Sequence, residues 1–141
     1  MKLNDFITRI PHTGESDAEI AAIVYDSRKA KAGTLFVCLV GAWADGHTYA
    51  QSAYDNGCRA FLCEHTVNLP ADAVQIMTPD TRAALAVIGA DFYGNPAEKL
   101  HLIGITGTKG KTTTALLTAA ILSESGLPCA YIGSNGVDIA G

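Results

Sequence analysis

The sequence predicts an α/β fold with mainly parallel strand pairing, organised as two units. Three observations carry this. Short β-rich apolar runs alternate along the chain with stretches of helical periodicity. The run at residues 34–40, TLFVCLV, is apolar without a break, as a buried strand is. Gly94-Asn95-Pro96, followed by the charges of Glu98 and Lys99, then interrupts the alternation. That interruption sets a boundary at 95–99, between a unit of residues 1–97 and a unit of residues 98–141.

Each element has its own signal. Residues 20–25, IAAIVY, read as a strand that stops at the turn Asp26-Ser27-Arg28. Lys31-Ala32-Gly33 is a second turn before the buried strand, and residues 41–46 form a loop. Residues 47–56 read as a helix, with Asp45 near its start and Gly57 as its stop. Strands follow at 59–64 and 73–78. Asp80 or Thr81 caps a helix from residue 82 to about 93, whose buried face is expected at Leu85, Ile88 and Phe92. Beyond the boundary, residues 100–106 read as a strand and 107–110 as a glycine-bearing loop. A helix is expected from 111 to about 125, burying Leu116, Leu117, Ala120 and Ile121, and a further strand begins at 129–133.

Size and composition bound the function. The 141 residues suit one ordinary domain, or a small domain and part of another. Hydrophobic residues make up 48% and charged residues 17%, the balance of a globular chain. A net charge of −4 gives no electrostatic reason to bind nucleic acid or an anionic membrane, so an anionic ligand needs a local site. The charged start carries no signal-peptide pattern, and no apolar run reaches the roughly 20 residues of a membrane span. The expectation is a cytoplasmic protein with no membrane insertion. Cys38, Cys58, Cys63 and Cys129 form no C-x-x-C pair, and three of them lie in apolar runs. They read as reduced, buried small hydrophobes, and the four scattered histidines suggest no metal site.

The strongest chemical signal is Gly107-Thr108-Lys109-Gly110-Lys111-Thr112, with Thr113 next, placed between a strand and a helix. A phosphate chain needs donors at close range. Glycines let backbone N–H groups turn inward, and a helix start adds unsatisfied N–H groups and its positive dipole end. Lys111 is placed to reach the β- and γ-phosphates of ATP, and the Thr112 hydroxyl to ligate Mg²⁺. The match to G-x-x-x-x-G-K-[ST] is imperfect, because Ile105 stands where the first glycine belongs and Gly107 supplies a shorter loop. The alternative reading is a glycine turn before a helix that carries an exposed lysine.

Residues 104–114, GITGTKGKTTT, resemble the nucleotide loop of the Mur ligases and their folylpolyglutamate synthetase relatives. Those families usually carry Asn where this chain has Lys109. Upstream, Asp26-Ser27-Arg28, then Gly33-Thr34-Leu35-Phe36-Val37, then Gly41 with Asp45-Gly46-His47, resemble the amino-terminal domain of the MurE branch and less closely the MurF branch. Tyr93-Gly94-Asn95-Pro96 is also similar to the MurE branch. The fold this resemblance implies is a small α/β UDP-substrate-binding domain, followed by the first strand, P-loop, helix and strand of a parallel-sheet ATPase domain.

The resemblance also implies a function. It is ATP-dependent ligation of an amino acid, diaminopimelate or lysine, to UDP-N-acetylmuramoyl-L-Ala-D-Glu through an acyl phosphate in peptidoglycan synthesis. Lys111 and Thr112 would be catalytic, Thr112 would hold Mg²⁺, and residues 107–113 would hold ATP. Tyr25, Ser27, Ala42, Trp43 and Ala44 would lie against the UDP moiety. The rest of the central domain and a third domain would follow Gly141, so the chain is expected to be an incomplete, inactive part of the enzyme.

Alternatives stand beside each of these. Ser27 can close an ST-turn and Asp26 an Asx-turn instead of meeting a ligand. Trp43 can anchor its loop, Asp45 and His47 can simply start a helix, and Arg28 and Lys29 can be a solvated turn or a phosphate clamp. At the level of function, the rivals are a non-catalytic binding module for UDP-sugar or nucleotide, a MurF-type ligase, and another P-loop protein such as a small-molecule kinase.

Overall fold

Four short strands, all parallel, form the sheet of the first unit. They are β1 (Ala22–Val24), β2 (Thr34–Val37), β3 (Ala60–Cys63) and β4 (Val74–Met77), and their spatial order follows the chain. The structure is a computed structural model that describes residues 1–42 and 44–139. It divides into two units, residues 1–100 and 101–141.

Every residue of β2 and β3 is buried, as strands at the centre of a covered parallel sheet must be. The period-2 alternation sends Leu35 and Val37 to one face and Phe36 and Cys38 to the other. The first face packs against α1 (Leu3–Ile7) and α3 (Thr81–Phe92), where Leu3, Phe6, Ile7, Ala84 and Ile88 join it. The second packs against α2 (Ala50–Asp55) through Ala50, Ala53, Cys58 and Phe61. Phe36 and Phe61 are register partners and meet edge to face at 6.1 Å. The outer edge of β4 is closed by a two-way backbone bridge to Thr13, at 2.9 Å each way.

The structure refines several expectations in this unit. The helix expected at 47–56 is two elements, a 3₁₀ turn at Gly46–Tyr49 and then α2. The Asp45 carboxylate accepts the N–H of His47, two residues on, which tightens the first turn. Asp80, rather than Thr81, caps α3 and accepts the Ala83 N–H at 2.9 Å. The buried face of α3 runs through Thr81, Ala84 and Ile88, with Leu85 and Phe92 half-buried beside it. Helix α1 had no sequence signal beyond Leu3, Phe6 and Ile7, and it exists by packing, since all three are fully buried.

The second unit holds α4 (Lys111–Glu124) and a hairpin of β5 (Ala130–Gly133) and β6 (Gly136–Ile139). Three expectations fail here. Residues 101–107 pair with no strand among the described residues, and Leu102 and Ile103 stand 73% and 63% exposed. A strand exists only through its ladder partners, and here the apolar run meets none. Helix α4 buries none of the expected face, with Leu117 and Ile121 60% and 65% exposed. One helix and one hairpin are too little structure to cover it. The hairpin is antiparallel, against the general expectation of parallel pairing. Its Gly136 has φ +114°, and it follows Asn135, a turn signal that sequence reasoning passed over.

Candidate functional site

In an open parallel sheet, ligands bind outside the carboxyl ends of the strands. The turn after β1 and the loop after β2 emerge there side by side, because β1 and β2 are neighbours. They carry the substrate residues expected from the sequence.

Val24 ends β1 and Tyr25 follows, 67% exposed. Asp26 then caps a 3₁₀ turn at Ser27–Lys29. One Asp26 oxygen accepts the Arg28 N–H at 3.0 Å and its Nε–H at 2.9 Å, and the other accepts from the guanidinium at 2.7 Å. The Arg28 side-chain hydrogen bonds, aided by its backbone N–H, hold the Asp26 carboxyl down at about 2. Asp26 therefore takes its Asx-turn reading, and Arg28 is folded back on it rather than reaching outward. Ser27 is half-buried, and its carbonyl accepts the Asn56 Nδ2–H at 2.9 Å from the end of α2. Sequence reasoning missed Asn56, since the Asn56-Gly57 pair registered only as a helix stop.

The loop after β2 is pinned at both ends. Val40 pairs with Asp45, and the Gly41 N–H reaches the Ala44 carbonyl at 2.9 Å. The Gly46 N–H reaches the Leu39 carbonyl at 2.8 Å, and a Cβ at Gly46 would stand 2.6 Å from the Leu39 nitrogen. Ala42 and Ala44 are exposed at the tip, and Trp43 lies outside the described residues.

Below the tip, His47 is 5% exposed. Its Nδ1 meets Asp45 at 2.5 Å, and its Nε2 accepts the Glu64 N–H at 2.9 Å. The His47 backbone N–H and then its ring hold the Asp45 carboxyl below its ordinary range. His65 stacks on His47 with ring centres 3.9 Å apart. The carboxylate of Glu64 takes the Thr81 N–H and hydroxyl at 2.9 and 2.8 Å, tying β3 to the start of α3. Asp45 and His47 thus start a helical turn, as one reading held, and also anchor the loop.

In the second unit, residues 107–112 run into the start of α4. Gly107 and Gly110 have φ of +151° and +77°, the backbone freedom that an inward-facing amide loop requires. Gly110 is the N-cap and offers no side-chain cap, so the first N–H groups of α4 keep their capacity for an anion. The Lys111 ammonium donates to the Gly107 carbonyl and so folds across the loop. Thr112 is half-buried; Thr108, Lys109 and Thr113 are exposed. Uncapped amides, a lysine over them and a hydroxyl at the second helical position fit a nucleotide's phosphates with Mg²⁺.

Among the described residues, no helix is long and apolar enough to cross a membrane. The description "Mur ligase family, catalytic domain" matches residues 19–93, the body of the first unit, and stops short of the glycine loop. A UDP-N-acetylmuramoyl-L-alanyl-D-glutamate–2,6-diaminopimelate ligase of Syntrophomonas wolfei is 42% identical over 137 residues, covering 95% of this chain and 28% of that protein. UDP-N-acetylmuramyl-tripeptide synthetase 2 of Oceanobacillus iheyensis is 36% identical over 140 residues, covering 99% of this chain and 27% of its own. A solved structure of a UDP-N-acetylmuramoyl-L-alanyl-D-glutamate–2,6-diaminopimelate ligase superposes with a TM-score of 0.69 at 28% identity, over 99% of this chain and 29% of that one. MurF from Acinetobacter baumannii superposes with a TM-score of 0.61 at 36% identity, over 74% and 22%. The chain spans under a third of the length of the relatives it matches. With more than half of its residues inside the family match and these likenesses along the rest, the chain belongs to the Mur ligase family.

Proposed function

We propose that this chain supplies the UDP-substrate-binding unit and the first phosphate-loop segment of an ATP-dependent ligase of the MurE type. Residues 1–97 would be the substrate domain and 98–141 the opening of the ATPase domain. The ligase would act in the cytoplasm in peptidoglycan synthesis, and so in maintaining cell shape and in division. It would join diaminopimelate or lysine to UDP-N-acetylmuramoyl-L-Ala-D-Glu. The carrying observation is the uncapped start of α4 behind Gly107 and Gly110, with Lys111 folded over the loop.

The chemistry follows from these groups. A carboxylate is a poor acyl donor because oxide would have to leave. Bound Mg·ATP would supply the γ-phosphoryl group and leave as ADP, so that an incoming amine would displace phosphate rather than oxide from the acyl carbon. The protein's part is to orient the phosphates and balance their charge. The amides of residues 107–112 would hold the phosphate oxygens. The Lys111 ammonium would exchange the Gly107 carbonyl for the β- and γ-phosphates, and the Thr112 hydroxyl would face Mg²⁺. Lys109 would add a positive charge beside this path. In the first unit, Tyr25 and Ser27 would meet the uridine diphosphate from the β1 turn, and Ala42, Trp43 and Ala44 from the β2 loop.

Calorimetry with Mg·ATP and with UDP tests the two sites separately. Binding of each is expected, and Lys111→Ala should abolish the first and spare the second. Absence of Mg·ATP binding to a chain whose α4 is folded would overturn the ATPase assignment. One observation favours a narrower reading of the isolated chain, a binding module without turnover: α4 leaves its apolar face uncovered. A phosphate-release assay with ATP, the UDP-linked dipeptide and amino acid decides this, and no turnover is expected from these 141 residues. MurF stays the rival within the family, on the strength of its structural likeness. Ligation of a dipeptide to a UDP-linked tripeptide, by a chain of these residues extended to the relatives' length, would establish it instead.

A further inference from the structure

The fold assembles a donor set that the sequence spacing hides. Cys38 follows β2, Cys63 ends β3, and the register that pairs Val37 with Leu62 sets these two cysteines side by side. Their sulfurs lie 3.6 Å apart, and both residues are fully buried. The 3₁₀ turn after the β2 loop drops His47 onto the same spot. One ligand atom from each of Cys38, His47 and Cys63 lies within 4.8 Å of the other two. We propose that these three side chains form a binding site for a thiophilic d¹⁰ cation, Zn²⁺ in the first instance.

Geometry carries the proposal. In a triangle with one side of 3.6 Å and two of at most 4.8 Å, some point lies within about 2.6 Å of all three corners. Zinc bonds are roughly 2.3 Å to thiolate and roughly 2.0–2.1 Å to imidazole, so a closure of about half an ångström completes the contacts. The sulfur separation is already near the roughly 3.8 Å edge that two such bonds subtend at the tetrahedral angle. The imidazole is prepared as well. Asp45 holds Nδ1, and the tautomer that suits it carries its proton there and a lone pair on Nε2. A carboxylate behind a histidine is the usual second partner of a zinc-bound imidazole. The Glu64 N–H occupies that lone pair, so the ion would replace one hydrogen bond. Two soft sulfurs and one imidazole select Zn²⁺ or Cu⁺ over Mg²⁺. On binding, each thiol releases its proton to solvent and no electron moves. The bound ion would tie β2, β3 and the 3₁₀ turn together directly beneath the loop at 40–45.

The test uses the whole chain, reduced with a phosphine and stripped of metal, titrated with Co²⁺ and back-titrated with Zn²⁺. One equivalent of Co²⁺ is expected to give a near-ultraviolet sulfur-to-cobalt charge-transfer band that Zn²⁺ abolishes. Cys38→Ala and Cys63→Ala should each remove the band, and Cys129→Ala should keep it. Asp45→Asn should weaken zinc affinity about 10–100-fold while leaving the band's shape unchanged. If an alanine variant fails to fold, zinc-edge X-ray absorption of the unaltered chain decides. Two sulfur neighbours near roughly 2.3 Å and a nitrogen near roughly 2.0 Å support the site. Zinc surrounded only by nitrogen and oxygen, no uptake at all, or a charge-transfer band that survives in folded Cys38→Ala/Cys63→Ala overturns it.

Discussion

Asp26 illustrates how much one side chain decides near the candidate substrate site. Its carboxylate accepts three hydrogen bonds from Arg28, and those bonds set the turn that presents Tyr25 and Ser27. The folded-state carboxyl sits near 2, below its ordinary 3.8. A depressed acid contributes stability that is complete above the unfolded value and is lost as pH falls through the folded one. Carbon-13 NMR should therefore find Asp26 titrating near 2, with the turn loosening between pH 4 and 2. Arg28→Ala should return the midpoint toward 3.8; an unmoved midpoint would show that Arg28 does not hold the carboxyl. Asn56→Ala removes the anchor on the Ser27 carbonyl and is expected to weaken UDP binding with Mg·ATP binding unchanged. A second position is steric. Any Cβ at Gly46 would press on the Leu39 backbone nitrogen at 2.6 Å, which is held by its hydrogen bond to the Val37 carbonyl at the end of β2. Gly46→Ala should cost about 1–3 kcal/mol in a denaturant titration of the first unit.

At the scale of elements, the two units contain helices of similar composition and opposite circumstance. Ile88 on α3 is fully buried between α1 and the sheet, and Ile121 on α4 is 65% exposed. Ile88→Ala should cost roughly 2–5 kcal/mol, while Ile121→Ala should stay within about 0.5 kcal/mol. Equal losses in chemical denaturation would mean that α4 is covered in solution. The contrast also explains what the sequence disclosed. Residues 34–37 and 60–63 were legible as strands because a parallel sheet covered on both faces needs apolar residues at every position. The 3₁₀ turns at Asp26 and Asp45 were half legible, since an Asx cap announces a turn and leaves its tightness to packing. The run at 100–106 has the same apolar signature as β2 and is no strand here, because a ladder depends on neighbours that lie elsewhere in sequence. The phosphate loop was legible from Gly107, Gly110 and Lys111, as it is contiguous. The donor set of Cys38, His47 and Cys63 was not, as its members meet only through the β2–β3 register.

For the whole molecule, burial is distributed unevenly enough to predict how it comes apart. Almost the entire apolar core lies in residues 1–100, where both faces of the sheet are covered. In residues 101–139, Tyr131 is the one buried hydrophobic side chain among the described residues. Local opening free energy follows buried apolar contact, so the second unit should open far more often than the first. Backbone amides of α4 and the β5–β6 hairpin should exchange with solvent much faster than those of β2, β3 and α3. Limited proteolysis should cut first within 101–112, where the chain before α4 has no ladder partner and Lys109 and Lys111 offer trypsin its sites. The product ending near Lys99 or Lys109 should retain the thermal midpoint of the first unit and its UDP binding, and it should lose all response to Mg·ATP. Saturating Mg·ATP should protect residues 107–112 from cleavage in the uncut chain, because a ligand bound to the ordered loop draws the population away from the open form. First cuts inside residues 22–77, or cleavage at Lys109 and Lys111 that Mg·ATP leaves unchanged, would contradict the assignment of rigidity to the first unit and of nucleotide binding to the second.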